Sequence, residues 1–264
     1  MDILLMVIMF ALGVIGSFFS GLLGIGGAII NYPLLLYVPS VFGAAHFSAH
    51  EVSSISMFQV FFASLAGVLA FQKRSKGKLG PSAVHKGLVL YMGISILVGS
   101  LIGGYISGML QGDVINLIYG ILAVLAVILM LIPRKGSDEI KENLQFNKFI
   151  AIVSAFIVGI VSGIVGAGGA FILIPIMLTL LKIPTRTTIA SSLAIVFVSA
   201  IGGVIGKLTG GHIPLWPTLF TVVGSLIGAP LGSKVSSKIN VKILRYGLVV
   251  LIALTAVKVW STIL

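Results

Sequence analysis

A glycine-rich segment occurs twice in this chain, and each copy lies inside a long apolar run. Residues 20–33 read SGLLGIGGAIINYP, and residues 162–175 read SGIVGAGGAFILIP. Lipid cannot hydrogen-bond free backbone groups, so a helix that breaks at membrane depth must face a site enclosed by protein or filled with water. Two such breaks at corresponding places in two halves predict a binding site where the halves meet.

The composition places the chain in a membrane. Hydrophobic residues make up 58% of its 264 residues, charged residues only 9%, and the mean hydropathy is +1.21. A soluble domain carries about 25% charged residues. The net charge of +11 resides in short loops between apolar runs, so it indicates membrane topology and not a nucleic-acid partner. Cysteine is absent, which excludes disulfides and thiolate chemistry.

Two of the apolar segments are too long for a single crossing of roughly 20 residues. We predict that each forms a hairpin, with arms 3–20 and 28–38 around loop 21–27, and arms 149–162 and 170–181 around loop 163–169. A short arm of about 11 residues rises about 16 Å, which reaches the bilayer midplane. The other segments each fit one crossing and fall at 50–71, 87–108, 114–133, 187–206, 214–233 and 241–263.

The loop charges support hairpins that return to the side they entered. In that topology 15 of the 17 Lys and Arg residues fall on one side, in loops 72–86, 134–148, 182–186 and 234–245. Only Lys207 and Lys258 fall on the other side. The positive-inside rule then predicts a multi-pass protein of the cytoplasmic (inner) membrane, with basic loops in the cytoplasm and both termini outside.

A hairpin plus three crossings per half is an odd number of crossings, so the halves must be inverted relative to each other. The predicted fold class is therefore an all-α integral membrane protein of two inverted repeats. Residues 1–133 form the first half, the polar segment 134–148 a cytoplasmic linker, and residues 149–264 the second half. The repeat extends beyond the glycine motif, because VGSLIG at 98–103 recurs at 223–228.

The glycine loops are the leading candidate for a substrate site. Glycine allows positive φ and close approach by a ligand, and the helix that follows directs free N–H groups at an anion. The residues concerned are Gly24, Gly26, Gly27 and Ala28 in the first half, and Gly166, Gly168, Gly169 and Ala170 in the second. The alternative is that these glycines only let helices pack closely.

Small polar residues near the loops are further candidates, since hydroxyl and amide groups can hydrogen-bond an anion without fixed charge. They are Asn31, Ser53, Ser54, Gln59, Ser191 and Ser192. Interhelical hydrogen bonds or caps are the alternative role for each serine. Glu51 and His50 are candidates for proton coupling, although an acidic residue also simply favours a first helical turn. No metal site or cofactor is predicted, and no Lys or Arg is expected at the centre of a span.

The paired SGxxGxGGAxxxxP motifs, each followed by a Ser-Ser helix and a G-S-L-I-G helix, resemble the sulfite exporter TauE/SafE family of membrane transporters. The second half carries the resemblance best, through 166–175 and the stretch Pro184-Thr-Arg186…Ala190-Ser191-Ser192-Leu193. In the first half, the equivalent stretch 47–55 lacks the proline and the basic residue. The resemblance covers nearly the whole chain and implies transport of sulfite, organosulfonates or related small anions.

These observations predict a secondary transporter for a small anion, which alternates access while the anion is held near midplane helix N-termini. An anion channel on the same scaffold is the alternative. An enzyme is not expected, because no nucleophile with a base and no metal cluster is placed at membrane depth. The expected partners are the anion and the bilayer. A coupling proton or ion and homo-oligomer formation are left open.

Overall fold

The computed structural model describes residues 3–23, 28–78, 84–131, 146–210 and 212–236, together with positions 253, 257, 260 and 261. The described ranges contain helices and no strand, which confirms the all-α prediction. They are α1 (Ile3–Leu23), α2 (Ala28–Val41), α3 (Ala49–Lys78), α4 (Lys86–Ser107), α5 (Gly112–Leu131), α6 (Lys148–Val165), α7 (Ala170–Thr179), α8 (Thr185–Gly210) and α9 (Leu215–Ser236). Six of them, α1, α3, α4, α6, α8 and α9, are long and apolar enough to cross a membrane.

Helices α4, α6 and α8 run side by side in the same direction. Ser95 Oγ of α4 donates a hydrogen bond to Ile152 O of α6 at 2.6 Å, and Ser107 Oγ donates to Ile164 O at 3.0 Å. The His85 N–H, just before α4, donates to Ser191 Oγ of α8 at 3.1 Å. We call the level where these three helices begin the near end, and the level where they finish the far end.

Helices α3, α1 and α9 run the opposite way, from the far end to the near end. The His50 ring of α3 stacks on His212, just beyond α8, and the Phe61 ring stacks on Phe197 in the middle of α8. Helix α9 follows α8 after a short connection and so begins at the far end. Helix α1 runs parallel to α9, because Gly13 lies against Thr221 and Gly21 lies against Ala229.

Each broken segment returns to the end where it started. Helices α6 and α8 both begin at the near end, so the chain through α7 must come back there. Helices α1 and α3 both begin at the far end, so α2 must come back to the far end. The ten residues of α7 rise about 15 Å, roughly half the thickness of the hydrocarbon layer.

The first arms are longer than predicted, and the loops are shorter. Helix α1 continues to Leu23 and α6 continues to Val165, so Gly21 and Gly163 are helical and lie outside the loops. Gly163 continues the helix because it packs against the backbone of α4, where an added Cβ would lie only 2.7 Å from Gly104 N. The second loop is therefore 166–169, in place of the predicted 163–169.

Glycines allow the backbones of three helix pairs to approach closely, as small residues do in membrane proteins. Gly13 and Gly228 lie between α1 and α9, Gly103 and Gly159 lie between α4 and α6, and Gly206 lies between α4 and α8. The outward faces carry exposed apolar side chains such as those of α4 and α9, as a lipid-facing surface requires. Residues 134–145 of the predicted linker and most of segment 241–263 lie outside the described residues.

Candidate functional site

The second loop has the backbone that the glycine pattern predicts. Gly166, Gly168 and Gly169 have φ values of 78°, 65° and 76°, in the left-handed region that side chains disfavour. Gly169 precedes the first residue of α7, Ala170, and has no side chain to cap the free N–H groups of that helix. The loop therefore presents an uncapped helix N-terminus. In the first half, Gly24, Gly26 and Gly27 lie outside the described residues, and Ala28 begins α2.

One turn of α3 connects this loop to the first broken helix. Ser56 Oγ donates a hydrogen bond to Gly166 O at 2.9 Å, and the Val60 side chain lies against Gly168. Between them, Gln59 Nε2 points to the other side, towards α1, where it lies 3.3 Å from Ser17 Oγ. This turn lies roughly 11–17 Å along α3 from its far end, at 1.5 Å per residue, so the contacts are near the bilayer midplane.

Two amide side chains meet at Gly16 of α1. An added Cβ on Gly16 would overlap Asn31 Oδ1 and would lie 2.9 Å from Gln59 Nε2, so both amides lie against this glycine. The Asn31 side chain is buried, and neither its Oδ1 nor its Nδ2 has a hydrogen-bond partner within the described structure. Gln59 Oε1 also has none there, and the Gln59 Nε2 contacts with Leu12 O and Gly13 O are long, at 3.5 and 3.4 Å.

The two glycine motifs each begin with a buried serine whose hydroxyl makes no hydrogen bond. Ser20 in α1 and Ser162 in α6 are corresponding residues of the repeat, and both Oγ atoms are without a partner in the described part of the protein. Ser162 lies beside Gly169 of the loop, and Ser20 is one helical turn beyond Gly16. The sequence identity at these positions was apparent, but it did not indicate that these hydroxyls belong to the site.

The other predicted site residues are divided between the site and the helix ends. Ser53 Oγ donates to Ile164 O at 2.7 Å, next to the second loop. Ser191 lies at the near end, where its Oγ accepts the His85 N–H, and Ser192 is buried one residue further on. Ser54 and His50 instead line a small cavity at the far end.

Glu51 forms a capping box at the start of α3. Its Oε2 accepts hydrogen bonds from Ser48 N at 2.8 Å and Ser48 Oγ at 2.9 Å, and Ser48 Oγ accepts from Glu51 N at 3.3 Å. This reciprocal pattern satisfies free N–H groups at a helix start. The proton-coupling role proposed for Glu51 and His50 stays a prediction.

Lys207 is the functional side chain that the sequence analysis placed wrongly. We assigned it to a loop outside the spans, but α8 continues to Gly210 and the Lys207 side chain is only 4% exposed. Its Nζ donates to Ser107 Oγ and, at 3.0 Å, to Ile164 O. The Lys207 amino group therefore contacts Ile164, two residues before the second glycine loop, where we expected no basic side chain. The described residues contain no cluster of His, Asp or Glu suited to a metal ion.

Comparison with known proteins identifies this arrangement. Residues 9–259 match the family model of the sulfite exporter TauE/SafE proteins. The chain belongs to the sulfite exporter TauE/SafE family. Its relatives include the probable membrane transporter protein YunE of Bacillus subtilis, 25% identical over 236 residues that cover 83% of this chain and 84% of the relative. A probable membrane transporter protein of Methanocaldococcus jannaschii is 28% identical over 212 residues, covering 78% and 72%.

Membership of the TauE/SafE family confirms the predicted resemblance and the assignment to membrane transporters. The relatives carry transporter names, and the family is one of transporters and not of enzymes. The six apolar helices agree with a multi-pass membrane protein. No solved structure gives a significant match.

Proposed function

We propose that this protein is a secondary transporter that moves a small oxyanion or sulfonate, such as sulfite or an organosulfonate, across the cytoplasmic membrane. The anion binds near the midplane, between the first broken helix and the second glycine loop. The site is formed by Asn31, Gln59, the hydroxyls of Ser20 and Ser162, and the N-terminus of α7. The near end faces the cytoplasm, and its exposed Lys86, Lys148, Lys182 and Lys234 support that orientation.

The observation that carries this proposal is the pair of buried, unpartnered hydroxyls at Ser20 and Ser162. A buried polar group without a partner destabilises a protein by about 1–3 kcal/mol. This cost recurs at the same position of both motifs, and Asn31 and Gln59 also carry atoms without a partner in the described structure. A ligand with several acceptor oxygens would satisfy the donors among these groups, as an oxyanion or sulfonate does.

The directions of the helices support alternating access by two inverted halves. Helices α1, α3 and α9 run from the far end to the near end, whereas their counterparts α6, α8 and α4 run from the near end to the far end. Transporters with inverted halves expose a midplane site to either side by moving one helical bundle against the other. In this chain the moving bodies are not the two sequence halves, because α1 packs on α9 and α6 packs on α4.

Transport by purified protein in proteoliposomes tests this proposal. We expect uptake of labelled sulfite or methanesulfonate to saturate, and unlabelled anion trapped inside to drive uphill counterflow of the label. Flux that neither saturates nor shows counterflow would instead indicate an anion channel. The absence of flux for every small oxyanion and sulfonate tried would refute the proposed function.

Single serine substitutions test the position of the site. Because the Ser20 and Ser162 hydroxyls make no hydrogen bond within the described part of the protein, S20A and S162A should keep or raise the melting temperature while transport falls roughly 5- to 30-fold, the equivalent of one to two kcal/mol. S154A on α6 is the matched control, since its hydroxyl bonds only to Ala151 O of its own helix. S56A should lower stability, because its hydroxyl holds Gly166 O. Unchanged transport in both S20A and S162A would show that the site lies elsewhere in the protein.

A further inference from the structure

The small cavity at the far end, which we call the Lys207 pocket, is lined by polar side chains from three elements. Its walls carry His50 and Ser54 of α3, Ser107 of α4, Lys207 of α8 and His212 beyond it. At this level α4 and α8 meet through glycines, which add no side chain to the space. Gly104, Gly108 and Gly210 complete the lining.

Lys207 is a buried amino group with neutral partners. When protonated it has three N–H donors, and its described partners are two neutral oxygens, Ser107 Oγ and Ile164 O. No described carboxylate forms an ion pair with it: of the two acidic residues in the described ranges, Glu51 is bound to Ser48, and Asp113 has no ion pair with Lys207. A buried ammonium without a counter-ion is costly, so an anion beside Lys207 Nζ would stabilise the charged form of this side chain.

The remaining groups of the pocket can donate hydrogen bonds to an anion. The His50 and His212 rings stack with their centroids 5.0 Å apart, and each imidazole carries an N–H donor. Ser54 adds a hydroxyl on the same wall. A protonated Lys207 opposes binding of a metal ion or an organic cation and attracts a small anion, to which Ser54 and His212 can donate hydrogen bonds.

The pocket adjoins the second glycine loop through one carbonyl group. Ile164 O accepts hydrogen bonds from Lys207 Nζ, Ser107 Oγ and Ser53 Oγ, and Gly166, two residues later, begins the loop. Ser53 and Ser54 are neighbours on α3, so one of them faces the loop and the other faces the pocket. An anion in the pocket therefore lies next to the route between the far surface and the midplane site.

The geometry points to a second anion-binding site in the Lys207 pocket, distinct from the midplane site. It binds a small oxyanion or sulfonate at the far face, where the anion enters or leaves. This inference rests on the proposed anion transport for its purpose in the transport cycle. Binding at the pocket itself can be measured without transport.

A reporter thiol at the mouth of the pocket tests this inference, because the chain has no native cysteine. His212 is exposed and lines the pocket, so H212C can be modified in detergent-solubilised protein by a sulfonate-bearing or a trimethylammonium-bearing methanethiosulfonate reagent. The two rates compared are those at which the sulfonate reagent and the trimethylammonium reagent modify the thiol. The ratio of the first rate to the second should fall roughly tenfold when K207M is added, which corresponds to about 1.4 kcal/mol of charge interaction. K207R should restore the ratio, and K234M, at the near end, should leave it unchanged.

Protection by a free anion completes the test. Methanesulfonate should slow the modification of H212C with a saturating dependence, and sodium gluconate of equal ionic strength should not. K207M should abolish the protection. A rate ratio insensitive to K207M, or protection that survives it, overturns the second site whether or not the protein transports any anion. Conversely, if the modification rates show this charge preference but the protein transports no anion, the second site stands and the proposed transport is refuted.

Discussion

The two broken helices share a motif but offer a ligand different groups. On the first short arm, the motif continues with Asn31 and Tyr32, and the Asn31 amide is buried without a partner. On the second short arm, the corresponding residues are Leu173 and Ile174, both buried in apolar surroundings. The first half thus contributes amide groups to the proposed site, and the second contributes an uncapped helix N-terminus.

The two halves also differ at the position of the buried lysine. Lys207 lies near the end of α8. When Ser53 of α3 is aligned with Ser191 of α8, 138 residues later, the residue that corresponds to Lys207 is Leu69. Leu69 is exposed on the outer surface. These two matching positions therefore carry a buried lysine at the far end and an exposed leucine in the other half. Under the proposed function, the anion would meet unlike groups at the two faces of the protein.

The contacts that α4 and α9 make with the first arms of the two hairpins should respond alike to a bulky residue, and this is the largest effect we expect. An added Cβ would lie 2.9 Å from Ile160 Cα at Gly103 and 2.9 Å from Val14 C at Gly228, where backbone cannot yield. G103L and G228L should therefore prevent assembly of the folded protein, measured as loss of the monodisperse peak in size-exclusion chromatography. G93A is the control, because its Cβ would meet Val198 at an ordinary 3.7 Å. If the protein tolerated only one of the two leucines, the two hairpins would not be packed in equivalent ways.

Exchanging the unlike residues of the two short arms gives the next largest effect. N31L copies Leu173 into the first half and removes an amide that bonds to nothing in the described protein. The stability of the protein should therefore be unchanged. The apparent affinity for the anion should fall roughly 10- to 100-fold, from a loss of about 1–3 kcal/mol of binding free energy. L173N makes the reverse change and should lower the melting temperature, because Leu173 is fully buried among apolar side chains.

Binding isotherms and thermal unfolding of both variants provide the measurement for this exchange. The expected pattern is a stable N31L protein with weak binding and an unstable L173N protein. A different outcome would be an N31L protein that unfolds more easily but binds the anion with normal affinity when it is folded. Asn31 would then be a structural residue, and the asymmetry of the two arms would have no bearing on the ligand.

The sequence predicted most of the scaffold but less of the chemistry. The glycine motifs and loop charges gave the helix breaks and the returning arms, because both follow from rules about backbone groups and cations in lipid. The ends of the helices were misplaced by a few residues, which put Gly21 and Gly163 in loops and moved Lys207 out of α8. Whether a lysine three residues from a helix end faces solvent or a pocket depends on its neighbour, here the glycine face of α4. That packing is a tertiary contact, which a linear pattern does not contain.

The starts of α3 and α8 offer the finest comparison, with the smallest expected effect. Helix α3 begins with the capping box of Ser48 and Glu51, whereas α8 follows Pro184, whose carbonyl accepts the Thr188 N–H at 2.9 Å. Because glutamine can fill the same position in a capping box, E51Q should change stability by less than about 0.5 kcal/mol, and E51A should cost about 0.5–2 kcal/mol. Thermal unfolding of the two variants measures this difference.

The same pair of variants separates the cap from proton coupling at Glu51. If the side chain serves only the helix start, E51Q transports like the wild type at every pH, and E51A transports normally at temperatures where it is folded. If Glu51 carries a coupling proton, E51Q keeps its stability but loses the dependence of anion accumulation on an imposed pH gradient in proteoliposomes. The reciprocal hydrogen bonds with Ser48 already engage Oε2 at the surface end of α3, away from the midplane groups. We therefore expect E51Q to retain its full response to the gradient, which would leave coupling to groups nearer the site.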